Sequence, residues 1–319
     1  MRHKDHRLWV AAALAAALAI ALPLTGQYRE YYFHGKVVNT DKQPLAGVEI
    51  NLRDVEMSRS YDVKTNKDGE YKFAGLPHGV YKVSFRKEGY APKEDEWKFE
   101  APQLNMKKVE IPDLTLVPQE LVAKAEQLKA MEAEIKAAVD KIKAKDYDGA
   151  VAQLRAFLDK NPDDSNGLFY LGLSYARKKM FAEAVAPLTR VTEKVPNYAP
   201  AYFELAGCYG KLDDKTKALE MYLKTTELDP SNVDAAYNAG LTLFGLSRIG
   251  EAQAVLEKAL SLRPSDPEIL DLMSRCYINA GEFAKAIDCL EKAKAGYTDP
   301  EKLKFLDDLI AKLKEQIKK

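Results

Sequence analysis

Apolar and polar residues alternate along the chain from residue 31 to residue 118. In the segments GVEINL, GEYKF, GVYKVSF and VEIPDLTL, apolar side chains recur at close to every second position. Because successive side chains of a strand point to opposite faces, this period of two predicts half-buried strands. The intervening stretches TDKQPLAG, NKDGE and GLPHG are typical of tight turns. The pattern therefore predicts a small antiparallel β-sandwich over residues 28–118.

From residue 119 onward the pattern changes to helical spacing, and four series of residues recur every 34 positions. One series consists of prolines: Pro162, Pro196, Pro230 and Pro264. Two consist of small residues: Ala150, Ala184, Ala218, Ala252 and Ala286, and Ala138, Gly172, Ala206, Gly240 and Ser274. The fourth is large: Tyr175, Tyr209, Leu243 and Tyr277. Proline ends a helix and small residues let two helices approach, so each unit is predicted to be a helical hairpin that its neighbour covers.

Both patterns resemble known families. The order GKVVN, PLAGVEINL, TNKDGEYKF and GLPHGVYKVSF resembles the carboxypeptidase regulatory-like domain, a transthyretin-like sandwich, over residues 32–90. The 34-residue series resemble the tetratricopeptide repeat, in five units over about residues 131–298. The resemblance implies a multidomain chain in which an all-α superhelical solenoid over residues 119–319 follows the sandwich. An amphipathic helix at 300–319 would cap the array with one apolar side: Leu303, Leu306, Leu309, Ile310, Leu313 and Ile317.

In such a solenoid, the first helix of each hairpin lines the inner wall of the superhelix. One position of that wall reads Ile135, Phe169, Phe203, Tyr237 and Asp271 in successive units. The candidate peptide-binding groove comprises Phe169, Leu173, Arg177, Phe203, Lys211, Tyr237, Asn238, Leu241, Phe244 and Arg275. Gly207 and Gly210 would leave space beside Phe203. The alternative is that this aromatic ladder belongs to the core, as aromatic stripes at helical spacing often do.

These features predict a non-catalytic scaffold that binds an apolar or mixed peptide or protein partner. Some tetratricopeptide proteins hold a terminal carboxylate with lysine and asparagine, but Ile135 and Val139 stand at the corresponding early positions here, which disfavours that subtype. The alternative function is binding of a glycan or envelope polymer through sandwich loops around Tyr90 and Trp97. In that case the repeats would serve as a spacer or an oligomerisation arm.

Composition argues against several other function classes. The 48 lysines and arginines balance the 48 aspartates and glutamates, so no net field attracts nucleic acid. His34 and His78 stand in no metal-ligand spacing, and no cofactor is predicted. No serine or cysteine has an identifiable histidine partner, so no enzyme is predicted. Cys276 and Cys289 fall on the two helices of one hairpin, where a disulfide and reduced, buried thiols are both open.

The first residues carry an addressing pattern. MRHKDHR is basic, and an apolar run of 17 residues, from Leu8 to Leu24, follows it. This order is typical of a bacterial export signal over residues 1–26, with cleavage after Ala21 or Gly26. The sequence therefore predicts a periplasmic or extracellular protein. The alternative is an uncleaved segment that anchors the chain in the membrane, since such a run is at the short limit for a spanning helix.

Overall fold

The computed structural model describes residues 31–99 and 108–318. Its contacts divide the chain into two compact units, Met1–Lys129 and Ala130–Lys319. The predicted export segment at 1–26 lies outside the described residues. Among the helices in the described ranges, none is long and apolar enough to cross a bilayer.

Two β-sheets form the first unit. The strands are β1 Tyr31–Val38, β2 Glu49–Asp54, β3 Ser60–Lys64, β4 Glu70–Leu76, β5 Gly79–Arg86, β6 Lys93–Phe99, β7 Lys108–Glu110 and β8 Leu114–Thr115. In one sheet β1 lies between β4 and β7 and also pairs with β8, and the other sheet has the order β3-β2-β5-β6. The predicted inward residues are buried between them, among them Val48, Ile50, Leu52, Tyr71, Phe73, Tyr81, Val83 and Phe85. The predicted sandwich is therefore confirmed.

The sandwich differs from the prediction in two strand pairings. The strands β7 and β8 run parallel to β1, whereas the other described pairs are antiparallel. Parallel neighbours need a long crossover connection. Here the whole second sheet lies between β1 and β7 in the chain, so the connection is long enough.

Eleven helices occur in the described residues from 119 onward. They are α1 Gln119–Lys143, α2 Tyr147–Lys160, α3 Ser165–Arg177, α4 Phe181–Lys194, α5 Ala199–Lys211, α6 Lys215–Leu228, α7 Val233–Gly245, α8 Ile249–Leu262, α9 Pro267–Asn279, α10 Phe283–Lys294 and α11 Pro300–Ile317. From α3 to α11, each helix contacts the next one along the chain. The predicted array of helical hairpins is confirmed.

The two small-residue series lie where the helices of each hairpin approach most closely. A Cβ atom on Gly172 would lie 2.5 Å from Cγ of Leu188, and one on Gly240 would lie 2.6 Å from Cδ2 of Leu256. Both leucines belong to a fifth series with the same period: Leu154, Leu188, Tyr222, Leu256 and Leu290. Every member of this series is buried. Small residues on the first helix therefore admit a large residue from the second.

The turn inside each hairpin contains one residue with a left-handed backbone. The φ angles are 62° at Lys145, 62° at Lys179, 62° at Asp213, 58° at Ser247 and 75° at Gly281. Their spacing is again 34 residues. Only the last position carries the residue type that adopts this conformation without steric cost.

The capping helix α11 buries a narrower stripe than predicted. Leu306, Ile310 and Leu313 are buried against the fifth hairpin. Ile317, predicted on the same side, is 52% exposed because it is in the last turn of the helix.

Candidate functional site

Neighbouring first helices contact each other at two places in the array. The helix α3 contacts α5, and α7 contacts α9. Arg177 near the end of α3 reaches Glu204 of α5 through two hydrogen bonds of 3.1 and 2.8 Å. We define the groove face as the side of α3, α5, α7 and α9 that carries the predicted groove residues.

Phe169, at the α3 end of the groove face, belongs to the core. It is 8% exposed, and its ring packs edge-on against Tyr170 at 5.3 Å and Tyr198 at 5.2 Å between centroids. Leu173 is half-buried against the same cluster. At this end the aromatic position fills space between helices.

The middle of the groove face, on α5, is more open. Phe203 is half-buried, and its ring lies 5.9 Å from that of Tyr222, so one side packs on the hairpin's second helix. A Cβ atom on Gly207 would meet nothing closer than Oη of Tyr222 at 3.9 Å, and one on Gly210 nothing closer than Cβ of Ala218 at 3.9 Å. In contrast to Gly172 and Gly240, these two glycines could each accept a Cβ atom at ordinary van der Waals distance, without a clash.

Arg177 is held by its own chain. Its guanidinium forms a bidentate pair with Glu204, whose side chain is 16% exposed, and these hydrogen bonds raise the pKa of Arg177. The thiol of Cys208 is nearby and buried, and burial raises its pKa to about 11. Lys211 is exposed at the end of α5. Of these two predicted cations, Lys211 is therefore the one more open to a partner.

On α7 the groove face is partly apolar and exposed. Tyr237 and Phe244 are half-buried and pack against the core beneath. Leu241, one turn after Tyr237, is 43% exposed. Asn238 is half-buried. This helix therefore adds exposed apolar surface that the hairpin core does not use.

At the α9 end, the ladder position carries a buried acid. Asp271 is 8% exposed, and its Oδ2 atom accepts hydrogen bonds from Nη2 of Arg275 at 2.9 Å and Nζ of Lys302 at 3.3 Å. Lys302 lies on α11, the helix predicted to cap the array. The unusual Asp271 in an otherwise apolar ladder was the sequence signal that could have indicated these partners.

Trp97, which the alternative function placed in a glycan-binding loop of the sandwich, lies on β6. Trp97 is 9% exposed and packs in the core, with its ring 6.5 Å from Tyr71 and 5.9 Å from Phe85. The prediction of a binding loop around Trp97 is therefore wrong, because the residue lies on a strand and is buried in the core. Tyr90 is half-buried beside Pro118.

The structure also places the remaining reactive side chains. Cys208, Cys276 and Cys289 are free and buried, so Cys276 and Cys289 form no disulfide. Burial raises the pKa of Cys276 to about 11. Within residues 31–99 and 108–318, no group of three or more His, Cys, Asp or Glu side chains is placed to hold a metal ion.

Two known families match this sequence. The model of the carboxypeptidase regulatory-like domain matches residues 33–116. Models of the tetratricopeptide repeat match residues 135–199, 203–267 and 243–313. These matches agree with the sandwich and the helical array described above.

Several curated proteins are similar over part of the chain. Hsp70-Hsp90 organizing protein 3 of Arabidopsis thaliana is 28% identical over 133 residues, which are 42% of this chain and 22% of that protein. Cellulose synthase operon protein C of Pseudomonas fluorescens is 36% identical over 101 residues, or 31% of this chain and 8% of that protein. The chain thus spans about a fifth or less of the length of these relatives. A crystal structure of MamA covers 53% of this chain and 96% of MamA, at 22% identity and a TM-score of 0.49.

Proposed function

We propose that this chain, a tetratricopeptide-repeat protein with an N-terminal carboxypeptidase regulatory-like domain, is a non-catalytic scaffold that binds a peptide segment of a protein partner on its groove face. One observation carries the proposal: Gly207 and Gly210, one and two turns after the half-buried Phe203 on α5, carry no side chain and could each accept a Cβ atom without a clash. An apolar surface with adjoining space is what an incoming side chain needs.

The chemistry of the groove face supports a peptide with at least one apolar side chain. Leu241 contributes exposed apolar surface and Lys211 an exposed charge, while Asn238 could hydrogen-bond to a peptide backbone. The relatives called Hsp70-Hsp90 organizing proteins are named for proteins that they organise, which supports a protein as the class of partner.

A selection from a random peptide library displayed on phage, carried out against the immobilised full chain, tests this proposal. Synthetic copies of the enriched peptides are then titrated against the chain by calorimetry. Phe203→Ala is expected to weaken binding by about 2 kcal/mol, as buried aromatic anchors do. Because Phe203 also packs on Tyr222, circular dichroism must show that the variant keeps its helices.

A second variant separates binding from folding. Gly207→Leu puts a good helix former where the Cβ atom meets nothing closer than 3.9 Å, so the fold should be retained while the space is filled. Gly250→Leu is the matched control, because a Cβ atom on Gly250 of α8 meets nothing within 4 Å and it lies on a second helix. The proposal is wrong if Gly207→Leu binds the selected peptides as tightly as Gly250→Leu does.

The cellular address is a separate part of the proposal. We propose that the basic and apolar pattern of residues 1–26 directs export and is then cleaved. The expected result is a mature chain that begins at residue 22 or 27. Intact-mass measurement of the protein purified from a bacterial envelope fraction tests it, and a retained residue 1 would contradict cleavage.

A further inference from the structure

A cluster of charged and aromatic side chains lies at the α9 end of the array, where the predicted groove residue Arg275 meets the capping helix. Its members are Asp271 and Arg275 on α9, Tyr297 in the turn between α10 and α11, and Lys302 and Phe305 on α11. It joins the groove face to the capping helix, because Asp271 and Arg275 belong to the former and Lys302 to the latter.

Two cations share one carboxylate in this cluster. Nη2 of Arg275 and Nζ of Lys302 both bond to Oδ2 of Asp271, at 2.9 and 3.3 Å. The carboxylate neutralises only one of the two charges, so the group of three keeps one positive charge. The Asp271 side chain is 12% exposed, whereas that of Arg275 is 52% exposed. The unbalanced charge is therefore open to solvent at Arg275.

The position of Lys302 is fixed by aromatic rings as well as by Asp271. Its Nζ atom lies 5.2 Å from the ring centroid of Tyr297 and 5.7 Å from that of Phe305. The hydroxyl of Tyr297 donates a hydrogen bond of 3.1 Å to the carbonyl oxygen of Pro267, which holds that ring against α9. Such contacts restrict a side chain that is otherwise very flexible.

An exposed apolar side chain, Phe305, lies beside the charged group of Lys302. Phe305 is 57% exposed, although its ring contacts the ammonium group of Lys302. The capping role of α11 does not require these charged and aromatic contacts, because Leu306, Ile310 and Leu313 already cover the apolar core of the fifth hairpin.

We propose that this cluster is a subsite for an acidic side chain of the partner peptide, followed or preceded by an apolar one. The inference rests on the proposed function, because the same peptide would occupy the groove face. Arg275 and Lys302 would bind the carboxylate, whose charge is complementary to theirs, and the apolar neighbour would pack on Phe305.

One nearby acid opposes this binding and gives the inference a second test. Glu268 is exposed in the first turn of α9. After burial itself, the carboxylates of Glu268 and Asp271 contribute to raising the pKa of Tyr237 and Tyr297, which places both acids near these phenols. Replacing Glu268 by glutamine should therefore strengthen binding of an acidic peptide.

Two synthetic peptide pools test the subsite with the full chain. Both pools are random except for one fixed phenylalanine and a neighbouring glutamate in the first pool or glutamine in the second. Their ends are acetylated and amidated, and fluorescence polarisation with one neutral dye gives the affinity. The glutamate pool is expected to bind about fivefold more tightly at low salt, and less so at high salt.

Three variants assign the preference to the cluster. Lys302→Ala should reduce the ratio of the two affinities to about one, and Glu268→Gln should increase it. Lys304 is an exposed lysine on the same helix, and Lys304→Ala should leave the ratio unchanged. A third pool with a free C-terminal carboxylate and no glutamate distinguishes a terminal group from a side chain.

Failure of the subsite differs from failure of the groove. If both pools bind equally and lose affinity in Gly207→Leu, the groove binds peptides and the acidic subsite is refuted. If neither pool binds, both proposals are refuted. Retention of the glutamate preference in Lys302→Ala, or a stronger preference for the free C-terminus, also refutes the subsite as proposed.

Discussion

The ring of Tyr71 lies directly against the backbone of Gly35, its paired residue on the neighbouring strand. A Cβ atom at position 35 would stand 2.5 Å from Oη and 2.7 Å from Cζ of Tyr71. The ring cannot move aside easily, because it is 2% exposed and also packs against Phe85 and Trp97. An aromatic ring thus covers a strand glycine in the core of the sandwich.

This contact predicts that Gly35→Ala destabilises the sandwich by about 1 to 3 kcal/mol, the usual cost of overpacking a core. Chemical denaturation followed by fluorescence of Trp97 measures the free energy of unfolding, since this tryptophan lies in the same core. Ala74→Gly, on the outward face of β4, provides a control for glycine and alanine preferences in strands. Equal stability of Gly35→Ala and the wild type would contradict the close packing.

Removing the hydroxyl of Tyr71 is expected to stabilise the sandwich. It is buried and has no hydrogen-bond partner among the described residues, and burial raises its pKa above the ordinary value. Because Tyr71→Phe removes an unpaired polar group without changing the ring, it should stabilise the unit by about 1 kcal/mol. Tyr81→Phe is the control, since the Tyr81 hydroxyl donates to the carbonyl oxygen of Pro77 at 2.9 Å and its loss should destabilise.

The left-handed turns of the hairpins predict a stabilising change. Lys179 adopts a φ of 62°, which costs a side chain with a Cβ atom about 1 to 2 kcal/mol. Lys179→Gly should therefore raise the free energy of unfolding by about 0.5 to 1 kcal/mol. The gain is smaller than the relieved strain because glycine also makes the unfolded chain more flexible. Thermal unfolding followed by circular dichroism measures the effect.

The equivalent turn of the fifth hairpin gives the reverse experiment. Gly281 has a φ of 75°, and a Cβ atom there would meet nothing within 4 Å. Gly281→Ala should lower stability through backbone strain alone. If both variants shift the melting temperature in the same direction, the strain argument is wrong.

Because Asp266 caps α9, we expect its replacement by alanine to lower the free energy of unfolding more than its replacement by asparagine. Its Oδ1 atom accepts backbone hydrogen bonds from Glu268 at 3.1 Å and Ile269 at 3.3 Å at the start of α9. Asp266→Ala should cost about 1 kcal/mol in urea denaturation, because the first-turn N–H groups lose their acceptor. Asp266→Asn keeps an acceptor oxygen, so a loss as large as that of the alanine variant would argue against capping.

The buried thiols predict a loss of stability in alkaline solution. Burial raises the pKa of both Cys208 and Cys276 to about 11 in the folded chain. Their neutral forms therefore stabilise the fold fully below the pKa of an unfolded thiol, about 8.5. This contribution declines as the pH rises toward 11. Urea denaturation from pH 8 to pH 10.5 should show a steeper decline for the wild type than for Cys208→Ala. Parallel curves would contradict the prediction.

Local pattern was enough to predict the two architectures. Alternation located the strands that carry Ile50, Phe73 and Val83, because each buries one face against the other sheet. The edge strands β3 and β6 escaped prediction, since their burial is only partial and β6 is mostly charged. The 34-residue series located the hairpins, because close helix contacts require small residues at fixed intervals.

The sequence by itself determined the repeat, its period and the set of side chains on the first helices. Only the tertiary structure decided which of them are available. Tyr198, in the turn before α5, packs on Phe169 and helps to bury it, whereas Phe203 at the equivalent position stays half-buried. Asp271 meets Lys302 across 31 residues of chain. Periodicity fixes which side of a helix a residue lies on. The exposure and the ion pairs of that residue depend on neighbours that are distant in the chain and come close only after the helices have packed.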